Sequence, residues 1–180
     1  MLNASERNHA VTAESAAIMG LFPFIPEVME FESSWNERNN EKRYMLIHFF
    51  PLVNQFQVLV DDSKVPLTIS VENPRTGESM KAWDLHVGAV IDVLGRPTTL
   101  MTASMKTMKW LDDSARRLWK MKVQLEHKLN KFRSKPRVDL SYGVFKRLES
   151  GSPAALGGIL NVGKIAKVVH ELEEELSRYQ

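Results

Sequence analysis

Gly158 and Gly163 have four residues between them and Lys164 follows, which is the spacing of a phosphate-cradling loop. That chemistry needs a strand before the first glycine and a Ser or Thr hydroxyl after the lysine to hold magnesium. Here a Ser-Pro turn comes before it, the hydroxyl slot is Ile165, and Ile165 opens the apolar stripe of a helix. The spacing therefore marks a helix start. The five histidines, His9, His48, His86, His127 and His170, form no local ligand motif, and His170-Glu171 lacks the second histidine of a His-Glu-x-x-His pair. Asp61-Asp62 lacks the alternating oxygen ligands and the glycine of a calcium loop. No serine stands in a Gly-x-Ser-x-Gly elbow. With no cysteine in the chain, thiol nucleophiles, disulfides, iron–sulfur clusters and cysteine-based zinc sites are excluded together. The expectation is a non-enzymatic protein with no cofactor and no metal.

The elements that must position anything else read as α+β. Residues 1–40 form an N-terminal arm. In it Thr12 caps a short helix running through Met19, Gly20 ends that helix, and Leu21-Phe22-Pro23-Phe24-Ile25-Pro26 follows as an extended apolar stretch. Prolines 23 and 26 forbid a helix and remove donors that a central strand needs. This stretch either packs on the protein's own body or inserts into a partner's groove. From Glu41 the period becomes two. Tyr44 to Phe50 is apolar on both faces and reads as a strand buried on both sides. Phe56, Val58 and Val60 give a second strand, and Leu67, Ile69 and Val71 a third. After a turn at 72–78, Val87–Leu94 and Thr98–Thr102 make two more, joined across Gly95-Arg96-Pro97. Beyond Thr107, the expected N-cap, Leu111, Ala115, Leu118, Leu125, Leu129 and Phe132 trace one stripe of a long helix stopped by Pro136. Residues 41–135 are thus one β domain with a long helix. Residues 136–180 are a C-terminal extension, comprising an extended Val138–Phe145, one helical turn at Ser152–Gly157 and a helix from Asn161.

The formal net charge of +2 conceals its distribution. Residues 1–105 carry 8 basic and 13 acidic side chains, residues 106–137 carry 11 and 3, and the tail 5 and 6. The positive field is concentrated on the long helix. Arg116, Arg117 and Lys120 either solvate its outer side or form a ridge that meets an acidic partner. Together with Phe22 and Phe24 of the arm they are the candidate partner-binding residues. Lys122, inside the apolar stripe, either snorkels along its stem or marks a change from intramolecular to intermolecular packing. No aromatic–glycine ribonucleoprotein pattern accompanies the basic residues, so nucleic acid is not the expected partner. The weakly polar run Ala16–Pro26 is far too short for a membrane span, which needs about 20 residues. Absence of cysteine and of a signal-peptide layout fits a reducing compartment, with the Asn3-Ala4-Ser5 sequon idle.

Asp84-Leu85-His86-Val87-Gly88, then Gly95-Arg96, then Thr107-Met108-Lys109-Trp110-Leu111 resemble the DM-ten domain of ciliary proteins. Arg43 to Phe50 is similar to that family's opening strand and Asn73 to Gly77 to its Asn-Ser-Gly turn; the likeness covers about residues 41–111. The chain departs from the family at Thr102-Ala103-Ser104, where an acidic–Cys–acidic element is usual, and at Pro51-Leu52-Val53-Asn54, where an acidic turn is usual. The family's Phe-Leu-Lys-Arg strand is not evident between Met80 and Trp83. The resemblance implies a small antiparallel pleckstrin-homology-like β-barrel followed by the long amphipathic helix. It also implies a non-enzymatic scaffolding role on doublet microtubules of the ciliary or flagellar axoneme, inside or outside the lumen. Tubulin and neighbouring axonemal proteins would be the partners, and cytoplasm, cytoskeleton and cilium the location. The alternative is a soluble adaptor whose barrel binds anionic lipid or an acidic protein.

Overall fold

A computed structural model describes residues 14–37, 39–61, 63–72, 77, 79–133 and 162–179. Thr12, His9, the Val138–Phe145 segment, the Ser152–Gly157 turn and Pro136 lie outside them. Within them the chain is α+β. A short helix α1 (residues 14–20) leads into an apolar strap, residues 21–26. Then come β1 (Met29–Asn36), β2 (Lys42–Phe50), β3 (Gln55–Val60) and β4 (Leu67–Ile69), followed by a 3-10 turn at Ala82–Asp84. The hairpin β5 (Val90–Val93) and β6 (Arg96–Thr99), the short β7 (Thr102–Ala103), α2 (Met105–Leu129) and α3 (Val162–Ser177) complete the order.

The main sheet is antiparallel with strand order β4-β3-β2-β1-β7, and β5–β6 forms a separate two-stranded sheet. β1 falls inside the expected arm and is a correction to it. Met29, Phe31 and Ser33 alternate inward and pair with Phe49, Ile47 and Met45 of β2, so residues 29–36 are an interior strand. β2 is also not buried on both sides. Met45, Ile47 and Phe49 are buried while Tyr44 and Leu46 are exposed, the one-sided pattern of an antiparallel sheet with a wet face. Phe49 and Phe56 pack with their rings tilted by 35° and 4.5 Å between ring centres, and with Phe31 they are almost fully buried. Each such ring contributes about 1.5–3 kcal/mol relative to exposure.

Residues around the second sheet explain their own types. Asp84 accepts from the Lys81 amide at 3.0 Å and closes the 3-10 turn, Leu85 is buried, and Gly88 sits at φ +88° where a side chain would be strained. The hairpin then turns at Leu94-Gly95, both at positive φ, rather than across Gly95-Arg96-Pro97. Arg96 pairs with Val93 and Pro97 with Asp92. Val71 lies beyond β4, buried, and its carbonyl accepts from the Met80 amide at 3.0 Å.

α2 runs about 37 Å at 1.5 Å per residue. Its N-cap is Ser104, whose hydroxyl accepts from the Thr107 amide at 3.3 Å. Thr107, one turn in, is buried and takes the Glu30 amide of β1 at 2.9 Å instead. The helix stops at Leu129 with Asn130 as its C-cap, short of Pro136. The reason is tertiary. The turn that follows delivers Phe132 onto Tyr179, stacked at 5.3 Å, and Arg133 onto the Glu175 carboxylate as a two-pronged ion pair. α3 starts beside Trp83 at Gly163 and ends at these contacts, with Leu172 and Leu176 against Leu129. Trp83 is linked through Phe22 to Trp110 near the start of α2, so the two helices run side by side in the same direction.

Candidate partner-binding surface

The strap crosses α2, and its sequence dictates how it is held. Pro23 and Pro26 have no amide hydrogens, so the segment depends on its carbonyls and side chains for attachment. α2 takes two of those carbonyls. Trp110 Nε1 donates to the Phe24 oxygen at 2.9 Å, and Arg117 donates to the Leu21 oxygen. Phe22 lies flat on Trp83, rings 5.3 Å apart and 3° from parallel, and tilts against Trp110 at 5.7 Å. The Arg117 guanidinium stands 5.9 Å from the Phe22 ring centre, and burial holds its pKa below the ordinary arginine value.

These contacts sort the expected docking residues. Phe22 is only 6% exposed and belongs to the core. Arg117 is committed to the strap. Both are corrected from docking residues to parts of the intramolecular clamp, and the apolar stretch packs on its own body. Phe24, by contrast, is 64% exposed, and Arg116 and Lys120 are exposed on the outer side of α2. Lys109 joins them: residues 109, 116 and 120 lie seven and four apart and therefore share one helix face. Among the described residues none of these three is in an ion pair. The helix proper carries seven basic and three acidic side chains; the rest of the basic segment lies beyond Leu129.

Between the strap and α2 lies a groove of about 350 Å³, walled by Pro23, Phe24 and Trp110 and rimmed by Lys106, Lys109 and Arg117, with Asp113 and Ser114 completing it. Sequence reading missed Lys106, Lys109 and Trp110 as members of a site. The seven-and-four spacing was the available signal for Lys109. The groove itself had none, because it exists only where a strap from one end of the chain meets the helix.

Lys122 is explained within the chain. Buried at 8% exposure, it pairs with Glu126 at 3.1 Å and lies 4.6 Å from the Trp119 ring centre. Gly163 has a packing role. A Cβ there would meet the Trp83 carbonyl oxygen at 2.8 Å, so glycine lets α3 seat against the 3-10 turn. Among the described residues the histidines form no metal-binding cluster: His48 lies 3.9 Å from Glu30, His170 lies 3.6 Å from Glu174, and His86 Nδ1 contacts the Val87 carbonyl. Among the described residues no three His, Asp or Glu side chains converge as metal ligands, and no helix is long and apolar enough to cross a membrane. Asp61 accepts from Arg43 at 2.7 Å and from the Tyr44 amide at 3.0 Å, which holds its carboxyl below the usual carboxylate range. That pair closes the end of the β2–β3 ladder. In comparisons with known proteins, no family model matches the chain and no curated protein matches it.

Proposed function

We propose that this protein is a non-enzymatic docking module that presents the outer face of α2 to an acidic protein surface. The observation that carries the reading is the row Lys109, Arg116 and Lys120: exposed, on one face, and without ion pairs among the described residues. Lys109 lines the same groove as the exposed Phe24, so on this reading complementary charge orients the partner while an apolar anchor adds affinity. The DM-ten resemblance gives that partner a finer identity. The quoted motifs support a divergent DM-ten domain, with the main sheet and the β5–β6 hairpin enclosing one core as parts of a pleckstrin-homology-like barrel. On this reading the acidic surface is tubulin or a neighbouring axonemal protein, and the protein is a structural component of the cilium or flagellum.

Sedimentation with microtubules over a salt series tests the docking face. The R116E/K120E variant, altered at two exposed residues outside the strap clamp, is expected to bind about tenfold more weakly at low salt and to converge with the parent at high salt. A tagged protein absent from axonemes, or removed from them by mild salt, argues against the axonemal assignment. The adaptor reading is favoured instead if the protein sediments strongly, and salt-sensitively, with anionic vesicles.

A further inference from the structure

The groove between strap and α2 has a composition that the basic row alone does not. Its volume, about 350 Å³, is at the small end of ligand pockets, which span about 300–1,000 Å³. It is too small for a large cofactor and large enough for one bulky side chain. Pro23, Phe24 and Trp110 line it with rings. Trp110's indole N–H is already committed to the Phe24 carbonyl, so what it has left to offer is ring surface. Polarity is confined mostly to the rim and is of one dominant sign: Lys106, Lys109 and Arg117 against Asp113. Arg117 is committed to the Leu21 carbonyl, whereas Lys106 and Lys109 are exposed and form no ion pair among the described residues.

An apolar lining with two available ammonium groups three residues apart on the same helix fits a ligand with an apolar body and more than one carboxylate beside it. We infer that the groove seats one aromatic side chain of an acidic peptide segment, whose flanking carboxylates pair with Lys106 and Lys109. This deepens the docking role proposed above and rests on it. The aromatic ring would lie against Trp110 and Phe24, and the carboxylates would set the segment's register along α2.

Fluorescence anisotropy with the whole 180-residue chain and a labelled Glu-Glu-Phe-Glu-Glu peptide tests this. Saturable binding is expected, weakening with added sodium chloride, and about tenfold weaker when the peptide's Phe is replaced by Gly. K106E/K109E, shown by circular dichroism to be folded, should lose binding by at least about tenfold, because each lysine then repels what it attracted. R116E/K120E, on the same helix but outside the groove, should lose much less. Binding indifferent to the peptide's Phe, or equal loss in both double variants, overturns the groove and leaves the docking face standing. So does the absence of peptide binding by a protein that still sediments with microtubules. Absence of binding in both assays removes the docking role as well. If phosphatidylserine vesicles displace the peptide from the parent, and the parent but not K106E/K109E sediments with those vesicles, the occupant is a lipid headgroup and the peptide assignment is overturned.

Discussion

Leu94 occupies the left-handed region at φ 54°, 66% exposed, at the first turn position of the β5–β6 hairpin. An L-residue there carries a steric cost of about 1–2 kcal/mol, and exposure means its side chain repays little of it. L94N, which tolerates that conformation and suits a two-residue turn before Gly95, should raise stability by about 0.5–1 kcal/mol in a urea titration. No gain would mean that Leu94 has packing beyond what its exposure indicates. Gly163 tests the opposite sign. In an open helix, G163A would gain about 1 kcal/mol of helix propensity. Here the added Cβ would meet the Trp83 carbonyl at 2.8 Å, so the variant should instead lose about 1–3 kcal/mol. A stabilised G163A would refute the close seating of α3. Asp61 gives the pH dependence. Its folded pKa is lowered by Arg43 and the Tyr44 amide, so its contribution is complete above the unfolded carboxylate value of about 3.9 and fades as pH falls through the folded one. The stability difference between parent and D61N, followed by urea midpoint, should therefore shrink as the solution is acidified through that range. A difference that persists below it would assign the loss to packing.

At the scale of elements, the joint between β1 and α2 rests on Thr107. Its hydroxyl accepts the Glu30 amide at 2.9 Å and also contacts the Ser104 cap at 3.0 Å. T107V keeps the shape but leaves a partly buried amide without an acceptor, which should cost about 1–3 kcal/mol by urea titration. A loss under about 0.5 kcal/mol would show that the joint is held by packing alone. Thr107 also marks where sequence reading reached its limit. Its position before an apolar stripe identified the start of α2 to within a turn, but not that Ser104 caps it, because the choice between two hydroxyls is settled by β1. The period-two signal for β1 was present in Met29, Phe31 and Trp35 and was masked by the neighbouring proline-broken strap. β2, β3, α2 and α3 were legible because each pairs a long apolar pattern with breakers at its ends. β7 is two residues long and carries no pattern. The end of α2 depends on Tyr179 and Glu175, distant in sequence. Of the site, Arg116, Lys120 and Phe24 were legible as exposed candidates. Phe22 and Arg117 were misassigned because their partners, Trp83 and Trp110 for Phe22 and the Leu21 carbonyl for Arg117, are distant in sequence and leave no local trace.

At the scale of the molecule, the strap is the piece that makes one body of several. Ile18, Leu21 and Phe22 share a single core cluster with the sheet residues Phe31 and Phe49, the hairpin residue Ile91, Leu118 of α2 and Val162 of α3. Phe22 touches two tryptophans, Trp83 beside α3 and Trp110 on α2, so its ring joins the two helices to the sheet side of the core. Removing it should cost more than one local contact: F22A is expected to lose about 3–5 kcal/mol, the range for deleting a buried aromatic ring. The loss should appear in every element at once. In the parent, tryptophan fluorescence and far-ultraviolet circular dichroism should report one coincident urea transition, and in F22A that transition should shift without splitting. The alternative is specific. If the helices form a separate unit against which the strap merely rests, the circular dichroism change of α2 and α3 will keep its midpoint while the fluorescence of Trp83 and Trp110 moves. Coincidence matters for docking as well as for folding. A groove built from the strap on one wall and α2 on the other keeps its shape only as long as both walls belong to the same cooperative unit.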